Sequence, residues 1–258
     1  MKKIVGLIAL SLFAFSTTSH ADLIVLVHGA NFSKGSWSLV QEDLAGAHVQ
    51  SLALDLYSAQ ENVSLNDVSA RLCAEIRKLK TPVTLVGHSQ GGAIITVAAN
   101  ECGNLIQTLV YVAAVYPAPG TGVFDQLSDE DNRNYNTCGY LDPKANTYDL
   151  KDLDSCRKVF MQDATPADAA EFFKTMVSEP ASIGNSTVNY LTQKLAPISK
   201  YYVQTQNDLI ISKATQDKII ADKDFKKVFM IESSHAPFIE KHSELTGRLI
   251  EILGLNKT

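Results

Sequence analysis

Six short apolar stretches recur along the chain: Leu23–Val27, Val49–Leu54, Val83–Val86, Leu105–Val112, Tyr201–Gln204 and Val228–Ile231. Bounded by polar and turn-forming residues, they read as buried strands. Between them the period changes to that of a helix. Over Leu65–Lys80 the residues Val68, Leu72, Ile76 and Leu79 make one apolar face, and Ser64 with Asp67 form a capping box at its start. Trp37–Leu44, Gln90–Cys102, Ser212–Ala221 and Ser243–Leu253 read as further helices. Strands alternating with helices predict an α/β protein with a six-stranded, mostly parallel sheet covered on both faces.

The alternation fails between Tyr116 and Pro197. Turn-rich pieces (Pro117, Pro119, Gly120, Gly122, then Asn132 to Pro143) stand beside apolar helical pieces around Val159-Phe160-Met161 and Phe172-Phe173. Core is therefore expected over residues 22–116 and 198–258, with 117–197 inserted as a lid over one end of the sheet. Phe124, Phe160, Met161, Phe172, Phe173 and Met176 give that lid an apolar side that serves first to pack it on the core.

Before the first strand, Lys2 and Lys3 precede the apolar run Ile4–Phe15 and then Ser19-His20-Ala21. A positive start, a short hydrophobic segment and small residues at a cleavage point predict a secretory signal peptide over 1–21. The alternative, an N-terminal anchor, needs about 18 apolar residues, and the run is shorter. The mature protein is then periplasmic or secreted, with no membrane attachment. Its formal net charge of −5 becomes −7 once the two lysines leave, and no basic cluster remains for nucleic acid.

Export also changes how the four cysteines read. An even count in an oxidising compartment points to disulfides, of which four cysteines allow three pairings. Cys73–Cys102 would join two neighbouring helices and Cys138–Cys156 would close a loop-rich part of the insertion, so these are the pairs expected. Zinc is the rival, but the chain has no Cys-x-x-Cys pair and no histidine at ligand spacing from a cysteine.

Candidate chemistry concentrates at Gly87-His88-Ser89-Gln90-Gly91-Gly92, between the strand ending at Val86 and the apolar helix former Ala93–Ala99. Strand, Gly-x-Ser-x-Gly turn and helix together describe a nucleophile elbow, in which a strained turn lifts the serine hydroxyl above the sheet. Side chains at Gly87 and Gly91 would collide where strand and helix pass. Serine needs a base held by a carboxylate. His20 leaves with the signal, His88 should be aimed away from Ser89 by the turn, and His48 and His242 flank elements elsewhere. His28 follows the first strand. His235, just past the last strand, is the candidate base. Asp208, after Tyr201–Asn207 and between Ser89 and His235 in the chain, is the candidate acid, with Asp224 as a substitute. Asp55 reads as a structural turn residue and Trp37 as core. Backbone N–H donors for a developing oxyanion are expected from Gln90 and from the His28-Gly29-Ala30-Asn31 loop, with Ala30 the candidate and Gly29 permitting a sharp bend.

With these pieces assembled, the chain resembles the α/β-hydrolase superfamily. Within it, the chain is similar to the branch of plant methyl-ester esterases, hydroxynitrile lyases and related bacterial esterases. The resemblance rests on Leu26-Val27-His28-Gly29-Ala30 with Trp37, on Leu85–Gly92, on Leu109–Ala114 with Pro117 and Gly120, and on Asp208 and Ser234-His235-Ala236-Pro237-Phe238. It implies a six-stranded core with a helical cap, Ser89, Asp208 and His235 as nucleophile, acid and base, and Ala30 and Gln90 as oxyanion donors. Two features depart from the branch. Its lyases carry a lysine after the catalytic histidine, where this chain has Ala236, and the signal segment and cysteines are unlike the cytosolic plant members. The expected activity is hydrolysis of small or medium apolar carboxylic esters through an acyl-enzyme, with no metal or organic cofactor. A lyase or other carbon–carbon cleaving enzyme and a non-catalytic small-molecule binder are the alternatives. No pattern in the chain sets an oligomeric state.

Overall fold

The six apolar stretches become the strands of one parallel sheet. In this computed structural model residues 23–255 are described, so the expected signal segment 1–21 lies outside the described residues. The chain enters through β1 (Leu23–Val27) and runs by way of a 3₁₀ turn to α1 (Ser38–Gly46) and β2 (Gln50–Leu54). Next come α2 (Leu65–Leu79), β3 (Val83–His88), α3 (Gly91–Cys102) and β4 (Ile106–Val112). Burial follows from position in the layers. All six residues of β3 are buried, as are Gly91–Ala99 of the following helix, which explains why neither segment shows an alternating or amphipathic pattern. By contrast α2 buries one stripe only, and its Ser64–Asp67 capping box is present in both directions.

The inserted segment then leaves the sheet. It comprises α4 (Asp129–Cys138), β5 (Gly139–Asp142), β6 (Thr147–Leu150), α5 (Leu153–Phe160), α6 (Pro166–Phe173), β7 (Glu179–Pro180), α7 (Ala181–Gly184) and α8 (Thr192–Leu195). The insertion carries the helices expected of the cap, and beside them β5, β6 and β7, which the sequence did not announce, form a second, antiparallel sheet. These strands are two to four residues long and largely polar, too short to display a period of two.

The chain returns to the main sheet through β8 (Ser199–Thr205), α9 (Lys213–Ala221) and β9 (Lys227–Ile231), and ends in α10 (Pro237–Glu240) and α11 (His242–Leu255). The strand order is β2-β1-β3-β4-β8-β9, every pair parallel. Because all six strands run parallel, the loops after β1, β3, β8 and β9 lie at the same, C-terminal edge.

Insertion and core are tied by Asp131 of α4. Fully buried, it caps its own helix by accepting from Ser128 N (2.9 Å), and it also accepts from Ser212 N (3.0 Å) and Thr215 Oγ1 (2.5 Å) at the start of α9. Cys73 of α2 lies at disulfide distance from Cys102 of α3, and Cys138 of α4 from Cys156 of α5. Among the described residues no helix is long and apolar enough to cross a membrane.

Candidate active site

Ser89 sits on the turn between β3 and α3 with φ 52°, in the left-handed region that a serine seldom adopts. The conformation costs on the order of 1–3 kcal/mol and persists because its surroundings determine it. Ser89 N donates to Val112 O (3.2 Å), while Ser89 O accepts from Gly92 N (3.0 Å) and Val115 N (3.2 Å). The close crossing expected of the elbow is present: a Cβ on Gly87 would lie 2.6 Å from Gly91 O. Gly29 is needed for a different reason than a bend. Among the described glycines only Gly120 has positive φ, but a Cβ on Gly29 would stand 2.5 Å from the Cβ of Ser89. The β1 loop therefore passes directly against the serine.

That close passage brings Ala30 and Ser89 to the wall of one cavity of about 270 Å³. Neither Ala30 N–H nor Gln90 N–H donates to an acceptor among the described residues. Phe124, Leu127, Phe160, Ile210 and Ile211 make the rest of the wall apolar; Asn132, Tyr135, Asn136 and Tyr148 give it polar points without a charge.

His235 and Asp208, from the loops after β9 and β8, meet in a direct bond. His235 Nδ1 lies 2.7 Å from Asp208 Oδ2, and both side chains are fully buried. Every other polar contact of this carboxylate is also a donor. Ile210 N (2.8 Å) and Ile211 N (2.9 Å) bond Oδ1; Thr205 Oγ1 (3.0 Å) and, more weakly, Gln216 Nε2 (3.4 Å) reach Oδ2. The orientation of Asp208 is thus fixed by the chain before histidine is considered. The opposite imidazole nitrogen, His235 Nε2, is buried without a hydrogen-bond partner. Phe160, a wall of the cavity, packs edge-on against the His235 ring at 5.6 Å. No hydrogen bond joins Ser89 to His235.

Three supporting residues were not assigned this work from the sequence. His88 does not replace His235 but touches it: the rings are 4.6 Å apart, and His88 Nε2 is 2.8 Å from the His235 carbonyl oxygen. Burial pushes the His88 pKa well below its ordinary value, and nearby His235 adds to that. Gln216 of α9 holds the acid loop, donating to Ile211 O (2.7 Å) and Thr205 O (3.1 Å). Glu240 accepts from Ser233 Oγ (2.7 Å), Ser234 N (2.9 Å) and Ser234 Oγ (2.5 Å), bracing the residues before His235. None could be found from local pattern, since each partner is defined only once strands are paired. Asp55 takes the structural part expected, accepting from Lys34 N at 2.7 Å, and Trp37 is fully buried. No group of three or more His, Cys, Asp or Glu with metal-binding geometry occurs among the described residues.

Comparison with known proteins follows the same lines. The model of the Alpha/beta hydrolase family matches residues 24–247. Methylesterase 7 of Arabidopsis thaliana is 24% identical over 247 residues, covering 88% of this chain and 95% of that protein. A pyrethroid hydrolase of Sphingobium wenxiniae is 28% identical over 176 residues, covering 65% and 62% of the two chains. The crystal structure of a methylesterase from Arabidopsis superposes with a TM-score of 0.76 at 20% identity, over 91% of this chain and 99% of that one. At that identity the superposition speaks for the fold.

Proposed function

The chain belongs to the alpha/beta hydrolase family, and from that premise we propose that it is a serine carboxylesterase whose Ser89, His235 and Asp208 act as nucleophile, base and acid. A carboxylesterase-type hydrolase is what its methylesterase and pyrethroid hydrolase relatives indicate. The observation that carries the assignment of residues is the state of His235. One nitrogen is committed to Asp208 at 2.7 Å, the other is buried and unspent, and Ser89 stands on the strained turn at the cavity.

In this reading Ser89 Oγ attacks the ester carbonyl carbon as its proton passes to His235 Nε2. The carbonyl π electrons move onto oxygen, where the N–H groups of Ala30 and Gln90 meet the charge. Asp208 stabilises the imidazolium and keeps the proton on Nδ1. Collapse of the tetrahedral species breaks the C–O bond to the alcohol, which takes the proton from Nε2. Water, losing a proton to the same nitrogen, then adds to the acyl carbon; collapse breaks the bond to Ser89 Oγ, which takes that proton back from Nε2 as the acid leaves. Ser89 and His235 must close to hydrogen-bond reach for this, and such contacts commonly tighten only around substrate.

The cavity supports a compact, uncharged ester: its volume of about 270 Å³ is small and its lining carries no Lys, Arg, Asp or Glu. That lining, with Ala236 after the base, also disfavours release of an anion such as cyanide, so the ester reading stands ahead of the lyase and the silent binder. Residues 117–197 serve in this reading as the lid, and the two cysteine pairs suit a periplasmic or secreted protein. Turnover of 4-nitrophenyl esters of increasing acyl length by wild type and Ser89→Ala tests the proposal. A loss of at least ~10³-fold is expected, and equal turnover by the two proteins would end it.

A further inference from the structure

Glu179 of β7 is fully buried, and the groups that lower its pKa include no cation. Its hydrogen-bond partners are Gln90 Nε2 at 2.5 Å on Oε1 and Tyr57 Oη–H at 2.8 Å on Oε2, and the Asn31 backbone also favours its charged form. Gln90 and Asn31 belong to the loops that carry the candidate oxyanion donors. Gln90 supplies one N–H itself; Asn31 directly follows Ala30, which supplies the other.

We infer that Glu179 is a positioning residue that ties the two halves of the oxyanion hole to each other and to the inserted segment. The inference rests on the reading of Ala30 and Gln90 given above. On the Gln90 side, the side-chain Oε1 is buried without a partner, so the bond from Nε2 to Glu179 is what orients that residue. On the Ala30 side, Asn31 holds φ 62°, and its other polar atoms are likewise taken by the insertion. Asn31 Nδ2 donates to Tyr148 O (2.9 Å) and Val177 O (3.0 Å), its Oδ1 accepts from Tyr135 Oη–H (2.6 Å), and its carbonyl accepts from Val177 N (3.0 Å). Glu179 and Tyr148 are register partners in β7 and β6, so the acid and the Asn31 clamp belong to one rigid piece. Burying an acid without a cation is unfavourable. Here it buys two loops, distant in sequence, aimed at one point.

Pairs of donors must be placed to a fraction of an ångström, and a misplacement near 1 Å costs about 100-fold in rate. Truncation at Glu179 should therefore act on the transition state and leave ground-state binding alone. The experiment measures kcat and KM for 4-nitrophenyl butyrate, and inhibition by phenylboronic acid, which forms a tetrahedral adduct with an active serine. Glu179→Ala and Gln90→Ala are expected each to lower kcat about 10- to 100-fold with KM within about two-fold, and to weaken the boronic acid by a similar factor. Because Gln90→Ala keeps its own N–H and loses only the anchor, the double variant should fall no further than the worse single one. Unchanged kcat and boronic-acid affinity in folded variants, a loss in KM alone, or additive losses would overturn the inference. Should Glu179→Ala not fold, Gln90→Ala alone decides by the same criteria of kcat, KM and boronic-acid affinity. Ser89→Ala, run in parallel, separates the two readings. Full turnover by Ser89→Ala removes the esterase mechanism itself, whereas its loss beside normal Glu179 and Gln90 variants removes only the role given to Glu179.

Discussion

His88 Nε2 stands 2.8 Å from the carbonyl oxygen of His235, so the residue before the candidate nucleophile grips the backbone of the candidate base. The ring is enclosed by Phe32, Trp37 and Phe238 and is neutral there, since burial disfavours its charged form. A neutral imidazole that donates from Nε2 has no proton on Nδ1, and Nδ1 is without a partner. Replacement by phenylalanine keeps the ring but leaves a buried carbonyl unpaired. His88→Phe should lose about 1–3 kcal/mol of stability, seen as a lower urea midpoint at unchanged slope; an unaltered midpoint would count against the bond.

Asp208→Asn tests the tautomer of His235. The two amides of Ile210 and Ile211 demand an acceptor at Oδ1, so the new NH₂ must take the place of Oδ2 and face His235 Nδ1. Nδ1 then has to accept, the proton moves to Nε2, and Ser89 loses its base. A fall in kcat of about 10³- to 10⁴-fold is expected, with near-normal stability. Retention of more than about a tenth of wild-type kcat would show that Asp208 does not set the tautomer.

Glu179 makes stability depend on pH with a definite sign. Burial raises its pKa from the usual 4.5 to about 7, against the hydrogen bonds of Gln90 and Tyr57 and the smaller pull of the Asn31 backbone. Between those values the folded chain keeps a proton that the unfolded chain has lost, so stability falls as pH rises through the window and levels above it. Tyr57 and Tyr135, which face it, are themselves pushed up and stay neutral throughout. His28 and His88 oppose this, because burial lowers both, and their share is lost as pH falls below 6.5. The difference between wild type and Glu179→Gln isolates the acid: it should change by about 3 kcal/mol from pH 4.5 to 7. Urea denaturation showing a flat difference over that range would contradict a proton on Glu179.

The cysteine pairs should carry much of the stability of a chain expected in an oxidising compartment. Cys73 and Cys102 are 29 residues apart and Cys138 and Cys156 are 18 apart, separations for which loop closure predicts about 3–4 kcal/mol each. Cys73→Ser with Cys102→Ser should lower the thermal midpoint as reductant does in the wild type. A reductant-insensitive midpoint would mean the thiols are not joined.

Much of the core was legible because its signals are local. β1 occupies Leu23–Val27 as its apolar run predicts, and the Ser64–Asp67 box starts α2 where it was read. The elbow is local too: strand, two glycines, serine and helix former are contiguous, and the strain at Ser89 follows from them. The insertion was less legible. Thr147–Leu150 and Glu179–Pro180 are partners 29 or more residues apart, and nothing in either short segment announces the other.

The amino-acid order by itself determined which segments are buried and where helices begin, and it singled out Ser89, His235 and Asp208 as candidates, because periodicity, capping and turn strain act over a few residues. Only the tertiary structure decided what surrounds them. It set His88 under His235, Gln216 behind Asp208 and Glu179 beside Gln90. The physical reason is burial. A hydrogen bond in water has many possible partners, and the sequence cannot rank them; once the sheet is paired and the insertion packed, each enclosed polar atom has only those that the fold puts within reach.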